Sequence, residues 1–291
     1  MLPRRQLSQL AAFTIFLSAT ALPYSTNAQD APPASAARIL LLPRQVVSGE
    51  RATLAVLDVN GRLTPGVTVA FSNGDRLTTD TTGRALFVAP LSSGILFASI
   101  AGRAGRVPTA VLTPAEAAAD SIEILAAPKA ASVSDRFELA GRGFCGDADS
   151  NRVTIAGKPA LVLASSPASL VVLPPEDAGP GVASVQVSCA KGAAPPFSLL
   201  LVGLQLEADA SPIKPGERRT LTVRVRGAAS KVVLEARNLA PDVAELTGGP
   251  LTRHASSGGA DNQAKFEVIG KKQGSFLISI RLVSGNAPPS H

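Results

Sequence analysis

Few residues in this sequence could do chemistry, and His254 is the first to weigh. It sits in Thr252-Arg253-His254-Ala255-Ser256-Ser257, with Asp261 shortly after. A serine hydrolase needs a nucleophile, a base and a group that orients the base. Ser256, His254 and Asp261 supply those types. Their setting argues against the role, because Thr252 to Asn262 reads as a Gly/Ser-rich loop, a poor frame for catalytic geometry. No Gly-x-Ser-x-Gly elbow is present, and the other histidine is the last residue, His291. Carboxylate pairs for glycoside chemistry form in space and leave no linear trace, but sugar platforms favour aromatic faces and the chain has no Trp. These residues assign no catalytic group and no cofactor, and the expectation is a protein that is not an enzyme.

Asp147-Ala148-Asp149-Ser150-Asn151 places oxygen ligands two residues apart, as a calcium loop does. Arg152 stands where such a loop needs Gly, and no Glu occupies its twelfth position. The stretch reads as a polar loop between strands, and no metal site is assigned. The two cysteines, Cys145 and Cys189, carry the remaining chemistry. There is no Cys-x-x-Cys, so a thiol or metal role lacks its usual partners. In an exported chain the pair reads as one disulfide. A closed loop of ~45 residues is worth about 4 kcal/mol in the chain-entropy account.

The export reading comes from the N-terminus. Arg4 and Arg5 are followed by an apolar stretch from Leu10 to Leu22, too short for a comfortable membrane span, and then by Thr26-Asn27-Ala28. Cleavage is expected after Ala28, with Ala21 the lesser option, so that Gln29 begins the mature chain. No Cys follows to accept a lipid, and no second apolar segment appears. The expected product is not an integral membrane protein and is periplasmic or extracellular. The net charge is +6, and the basic residues are scattered pairs: Arg103 and Arg106, Arg218 and Arg219, Lys271 and Lys272. They read as solvated surface, and without a basic run interleaved with aromatics nucleic acid is not an expected partner.

The elements that must position these residues are strands. Aromatics are only 4% of the chain, so cores must come from Val, Leu, Ile and Phe. Val67, Val69 and Phe71 alternate with Thr68 and Ala70, and Leu221, Val223 and Val225 with Thr222 and Arg224. That is the period-two pattern of half-buried strands. Turn residues such as Asn60-Gly61 and Pro215-Gly216 punctuate runs at spacings of about eight to twelve residues, which spell β-sandwiches. The expected division is a leader at 1–28, a small-residue linker at 29–37, sandwiches at 38–112, 121–203 and 204–284, and a loose Pro-rich tail at 285–291. The Thr113-to-Asp120 joint holds an Ala-Glu-Ala run too short to be a stable helix alone.

Two of the sandwiches resemble known families. The first is similar to the bacterial Ig-like repeats of invasin and intimin type, through Val47-x-Gly49, Val59-Asn60-Gly61, Gly66-Val67-x-Val69-x-Phe71, Thr79-Asp80-x-x-Gly83-x-Ala85 and Gly94. That resemblance implies a spacer or presentation role. The second resembles an IPT/TIG domain, through Ile124, Pro128, Phe137-x-Leu139-x-Gly141-x-Gly143-Phe144, Val153-x-Ile155-x-Gly157, Leu170 to Pro174, and Val182 to Val187. Gly141 and Gly143 suit a corner needing positive φ or close backbone approach, with Phe144 in the core beneath. No helix follows this Gly-x-Gly, so it is no phosphate loop.

The sequence thus points to an all-β protein of tandem immunoglobulin-like sandwiches. Its expected role is structural, spacer or adhesion-type, with an unknown protein or cell-surface polysaccharide as partner. A polysaccharide- or peptide-binding subunit is the first alternative, which exposed aromatics at one end would favour. An enzyme with an unrecognised site is the second, which a polar cleft around His254 would favour.

Overall fold

The computed structural model describes residues 14–18, 38–207, 211–283 and 285–287. The leader (apart from 14–18), the linker at 29–37, His291 and the end of the tail lie outside them. The regular structure of the described chain is almost all strand. Residues 14–18 form β1 (Thr14–Ser18).

In the first sandwich, β2 (Arg38–Leu41), β4 (Arg51–Asp58) and β7 (Arg84–Val88) make one sheet. The other has the order β3-β9-β8-β5-β6, from β3 (Gln45–Val47), β9 (Val107–Leu112), β8 (Gly94–Ile100), β5 (Thr68–Phe71) and β6 (Arg76–Thr78). The alternation read from the sequence is what fills the core: Val69 and Phe71 are buried there with Leu54, Val56 and Phe87.

In the second sandwich, β10 (Glu123–Pro128), β12 (Phe137–Arg142), β15 (Ser169–Leu173) and β14 (Lys158–Ser166) form one sheet. The other contains β13 (Arg152–Ile155), β16 (Gly181–Cys189), β18 (Phe197–Glu207) and β11 (Ala130–Ser132). The short β17 (Gly192–Ala193) pairs with β16. The nine-residue β14 changes sheets along its length: Lys158 to Ala160 pair with β13, and Leu161 onward with β15.

In the third, β21 (Ala244–Leu246), β23 (Gln263–Gly270), β19 (Arg218–Arg226) and the end of β18 form one sheet. β22 (Leu251–Ala255), β20 (Val233–Asn238) and β24 (Ser275–Val283) form the other, with β1 beside β24. Leu221, Val223 and Val225 are buried in its core.

The joints between sandwiches are structured. β4 is buried on both faces. Ala52, Leu54 and Val56 face their own core, while Ala55 and Leu57 pack against Leu163, Ala164 and Val171 of the second sandwich. The Thr113-to-Asp120 joint contains one helical turn, α1 (Pro114–Ala117). A capping box of Thr113 and Glu116 and the packing of Ala117 beside Val47 and Ala168 supply what so short a helix lacks alone. β18 runs unbroken from the second sandwich into the third. Its residues up to Leu201 pair with β16, and those from Gly203 pair with β19.

Two readings of the sequence are corrected here. Residues 252–255, taken as part of a Gly/Ser-rich loop, belong to strand β22, because Leu251 to Ala255 complete backbone pairing with β20. Of the tail, expected loose from 285, Asn286–Ala287 form a short strand, β25, against Ala127 and Pro128 of β10.

Candidate functional site

The corner at Gly141 and Gly143 shapes the first of two notable places. Gly143 has φ +75°, and a Cβ on Gly141 would fall 2.3 Å from the Glu123 carbonyl oxygen. One glycine is needed for its backbone conformation and the other for close approach. Phe144 is fully buried beneath them.

Cys145 follows and is joined to Cys189 by a disulfide, with Cα atoms 6.3 Å apart. The Asn151 side chain then gathers the loop. Its Nδ2 donates to the carbonyls of Cys145 and Asp147 and to Ser165 Oγ, and its Oδ1 accepts from Cys145 N–H. The carboxylates that suggested a calcium loop are otherwise employed. Asp147 caps a single 3₁₀ turn at Ala148–Ser150, and Asp149 pairs with Arg84 Nη1 at 2.7 Å.

This loop is pressed onto the first sandwich. Thr53 Oγ1 donates to the Gly146 carbonyl and accepts from Ala148 N–H. A Cβ on Gly146 would fall 1.9 Å from the Arg51 carbonyl oxygen. Arg84, which is buried, also donates from Nη2 to the Val162 carbonyl at 2.8 Å. Nearby, Glu138 accepts from Ser169 Oγ and from Arg44 N–H, and pairs with Arg44 Nε at 2.8 Å. Burial pushes its carboxyl above the usual range, and the hydrogen bonds from Ser169 and Arg44 only partly offset that.

The second place is a cleft of about 430 Å³ where all three sandwiches meet. Aliphatic side chains line it, Leu57, Leu163, Leu173, Leu204 and Ile280 among them. Arg62, Arg136, Arg237 and Arg281 line it too, with Asp135, Glu176 and Glu235.

One side is formed by β20 and β24, through Glu235, Arg237, Ser279, Ile280 and Arg281. There Glu235, 1% exposed, is held between two arginines. Arg253 Nε and Arg281 Nε each donate to it at 2.8 Å, Arg253 to Oε2 and Arg281 to Oε1. Strand register places Arg253 and Arg281 directly opposite Glu235 on its two neighbours. Burial pushes this carboxyl up, but the two guanidiniums outweigh it and hold the group below the ordinary carboxylate range.

His254 lies apart from this lining. Its ring stacks on Phe266 with centroids 4.9 Å apart, and its Nδ1 lies 2.7 Å from the Lys265 carbonyl oxygen. A carbonyl only accepts, so Nδ1 carries the proton. Ser256 is buried and accepts from Val232 N–H, while the Asp261 contact is a backbone carbonyl receiving Ser257 Oγ. These three residues are thus occupied with neighbours other than one another. Arg219, expected on a solvated surface, has a side chain only 10% exposed and pairs with Glu217 at 2.8 Å.

The chain is a tandem Ig-like β-sandwich protein. No protein-family model matches it, and no curated protein does. Among solved structures it is similar to the Bacteroides ovatus mixed-linkage glucan utilization locus SGBP-B in complex with a mixed-linkage heptasaccharide. That match is 12% identical, covers 83% of this chain and 72% of the other, and has a TM-score of 0.34. The I9-I11 tandem of titin is similar at 10% identity over 87% of this chain and 98% of its own, with a TM-score of 0.21. Surface layer protein SbsC, domains 1–6, is similar at 14% identity over 88% of this chain and 40% of its own, with a TM-score of 0.19. The likeness is one of architecture alone. No helix among the described residues is long and apolar enough to cross a membrane.

Proposed function

We propose that this chain is an exported, non-catalytic protein in which three Ig-like sandwiches, the middle one of IPT/TIG type, form a rigid frame with a structural or adhesion-type interaction role. The observation that carries the reading is the construction of the joints. The first two sandwiches are held by a buried apolar contact and by Arg84, Thr53 and Gly146, and the second and third share β18. Flexible linkers let domains reorient, whereas buried interfaces fix them. A frame of this kind holds the three-way cleft in one shape, and a preformed site binds without the entropy cost of assembling it.

The cleft favours a peptide over a polysaccharide as the partner. Its lining contains aliphatic side chains and no aromatic ring among the described residues, whereas stacking on sugars uses aromatic faces. Guanidinium groups in its lining, Arg62 and Arg237 among them, suit acidic side chains on an extended peptide.

The test is small-angle scattering of the exported protein together with turnover assays. A single rigid arrangement should account for the scattering, and His254→Ala should leave both scattering and behaviour toward esters, glycosides and peptides unchanged. A broad ensemble of sandwich orientations would overturn the frame. So would a measurable turnover lost in His254→Ala with the fold intact.

A further inference from the structure

The three sandwiches are not equally complete. In the first, β8 lies between β5 and a closing strand, β9, which runs antiparallel to it. In the second, β16 lies between β13 and the first half of β18, again antiparallel. The equivalent strand of the third is β24, which pairs with β20 on one side. By the seven-strand plan of such sandwiches a closing strand belongs on its other side. Among the described residues, none after Val283 pairs with that side of β24. The chain crosses to the second sandwich, where Asn286–Ala287 pairs with β10.

Residues 14–18 take that place instead. β1 runs antiparallel to β24, with Ser18 opposite Ser275 and Thr14 opposite Ser279. This is the sense in which β9 meets β8 and β18 meets β16. Yet these five residues belong to the segment that the sequence marks for removal on export.

The apolar seam beside this position agrees with a missing strand. A closing strand normally contributes inward residues, as Phe197, Leu199 and Leu201 do in the second core. In the third, Leu204 and Leu206 of β18 and Ile280 and Leu282 of β24 border the core and are only partly buried. Leu204 and Ile280 also line the three-way cleft, so the seam opens into it.

We propose that removal of the leader opens the edge of β24, and that this edge accepts an extended strand from a partner protein to complete the third sandwich. The occupant is a segment with apolar residues at alternate positions, running antiparallel to β24. Backbone hydrogen bonds along the edge hold it, and the alternate side chains cover the seam. The proposal rests on the export reading and is independent of whether the frame is catalytic.

The test is hydrogen exchange on the exported, processed protein, with a synthetic peptide of residues 12–20 as the probe. Residues 233–237 of β20, paired on both sides, serve as the internal reference. Without peptide, residues 275–283 should exchange about ten-fold faster than that reference. With peptide they should slow to match it, and a scrambled peptide with its apolar residues clustered should have no effect. Protection of 275–283 before any peptide is added, in monomer or dimer, would overturn the proposal. So would exchange that the peptide leaves unchanged, or that the scrambled peptide slows equally. Scattering and turnover test the frame separately, so either reading can fail alone.

Discussion

Arg84 is the residue on which the joint between the first two sandwiches can be tested most sharply. Arg84→Met keeps most of the aliphatic bulk and removes the guanidinium. Two contacts go with it. The bond to the Val162 carbonyl is made by a charged donor inside the joint, and such bonds are worth about 1.5–3 kcal/mol. The pair with Asp149 involves a carboxylate that is 75% exposed, so solvent screens it to less than about 1 kcal/mol. Against these, Arg84 Nε is buried with no hydrogen-bond partner, and Met relieves that cost. The net loss should be near 2 kcal/mol, at the lower end of the range for a charged donor.

The choice of assay follows from composition. The chain has no Trp, and its single Tyr is Tyr24 in the leader, so far-UV circular dichroism or calorimetry must report unfolding. Arg84→Met should lower the urea midpoint and draw the unfolding of the first sandwich away from the rest. Asp149→Asn alone should cost less than about 1 kcal/mol, and the double variant should resemble Arg84→Met. The reasoning is refuted if Arg84→Met lies within about 0.5 kcal/mol of wild type, or costs no more than Asp149→Asn.

Two further outcomes are expected. Replacing Cys145 and Cys189 together with Ser should lower stability by up to about 4 kcal/mol, and denatured, unreduced wild-type protein should show no free thiol; two reactive thiols in oxidised protein would rule the bridge out. Glu138 has a raised carboxyl in the folded state, so the folded chain binds this proton more readily than the unfolded chain. Its contribution to stability is then greatest in acid and is lost as pH rises from the ordinary carboxylate value through the raised one. Glu138→Gln should remove that part of the slope in melting temperature against pH, and a slope unchanged in the variant would refute it.

Much of the frame was legible in the sequence, because alternation within one strand needs no knowledge of its neighbours. Val69 with Phe71 and Leu221 with Val223 and Val225 are buried as their period implied, and the Gly141–Gly143 corner sits where its residue types suggested. What stayed hidden depends on partners far along the chain. Nothing local in β4 says that Ala55 and Leu57 face a second sandwich. Arg84 and Glu235 look like surface charges because burial with a partner leaves no mark on spacing. β22 was missed because its polar residues pair by backbone, and a ladder is indifferent to composition. The one visible hint of the cleft was arginine on strands otherwise rich in Val and Leu, at Arg237 and Arg281.

The continuous strand β18 has a consequence for how this architecture can change. Its odd-numbered residues Phe197, Leu199 and Leu201 belong to the second core, while the even-numbered Leu200, Val202, Leu204 and Leu206 belong to or border the third. The two cores therefore read opposite faces of one strand. Inserting or deleting a single residue near Gly203 would turn one set of side chains toward solvent. An ordinary linker tolerates such changes, and domains joined by one can be duplicated or exchanged as separate units. Here no cut falls between units, so the second and third sandwiches must be inherited, recombined or engineered as a pair.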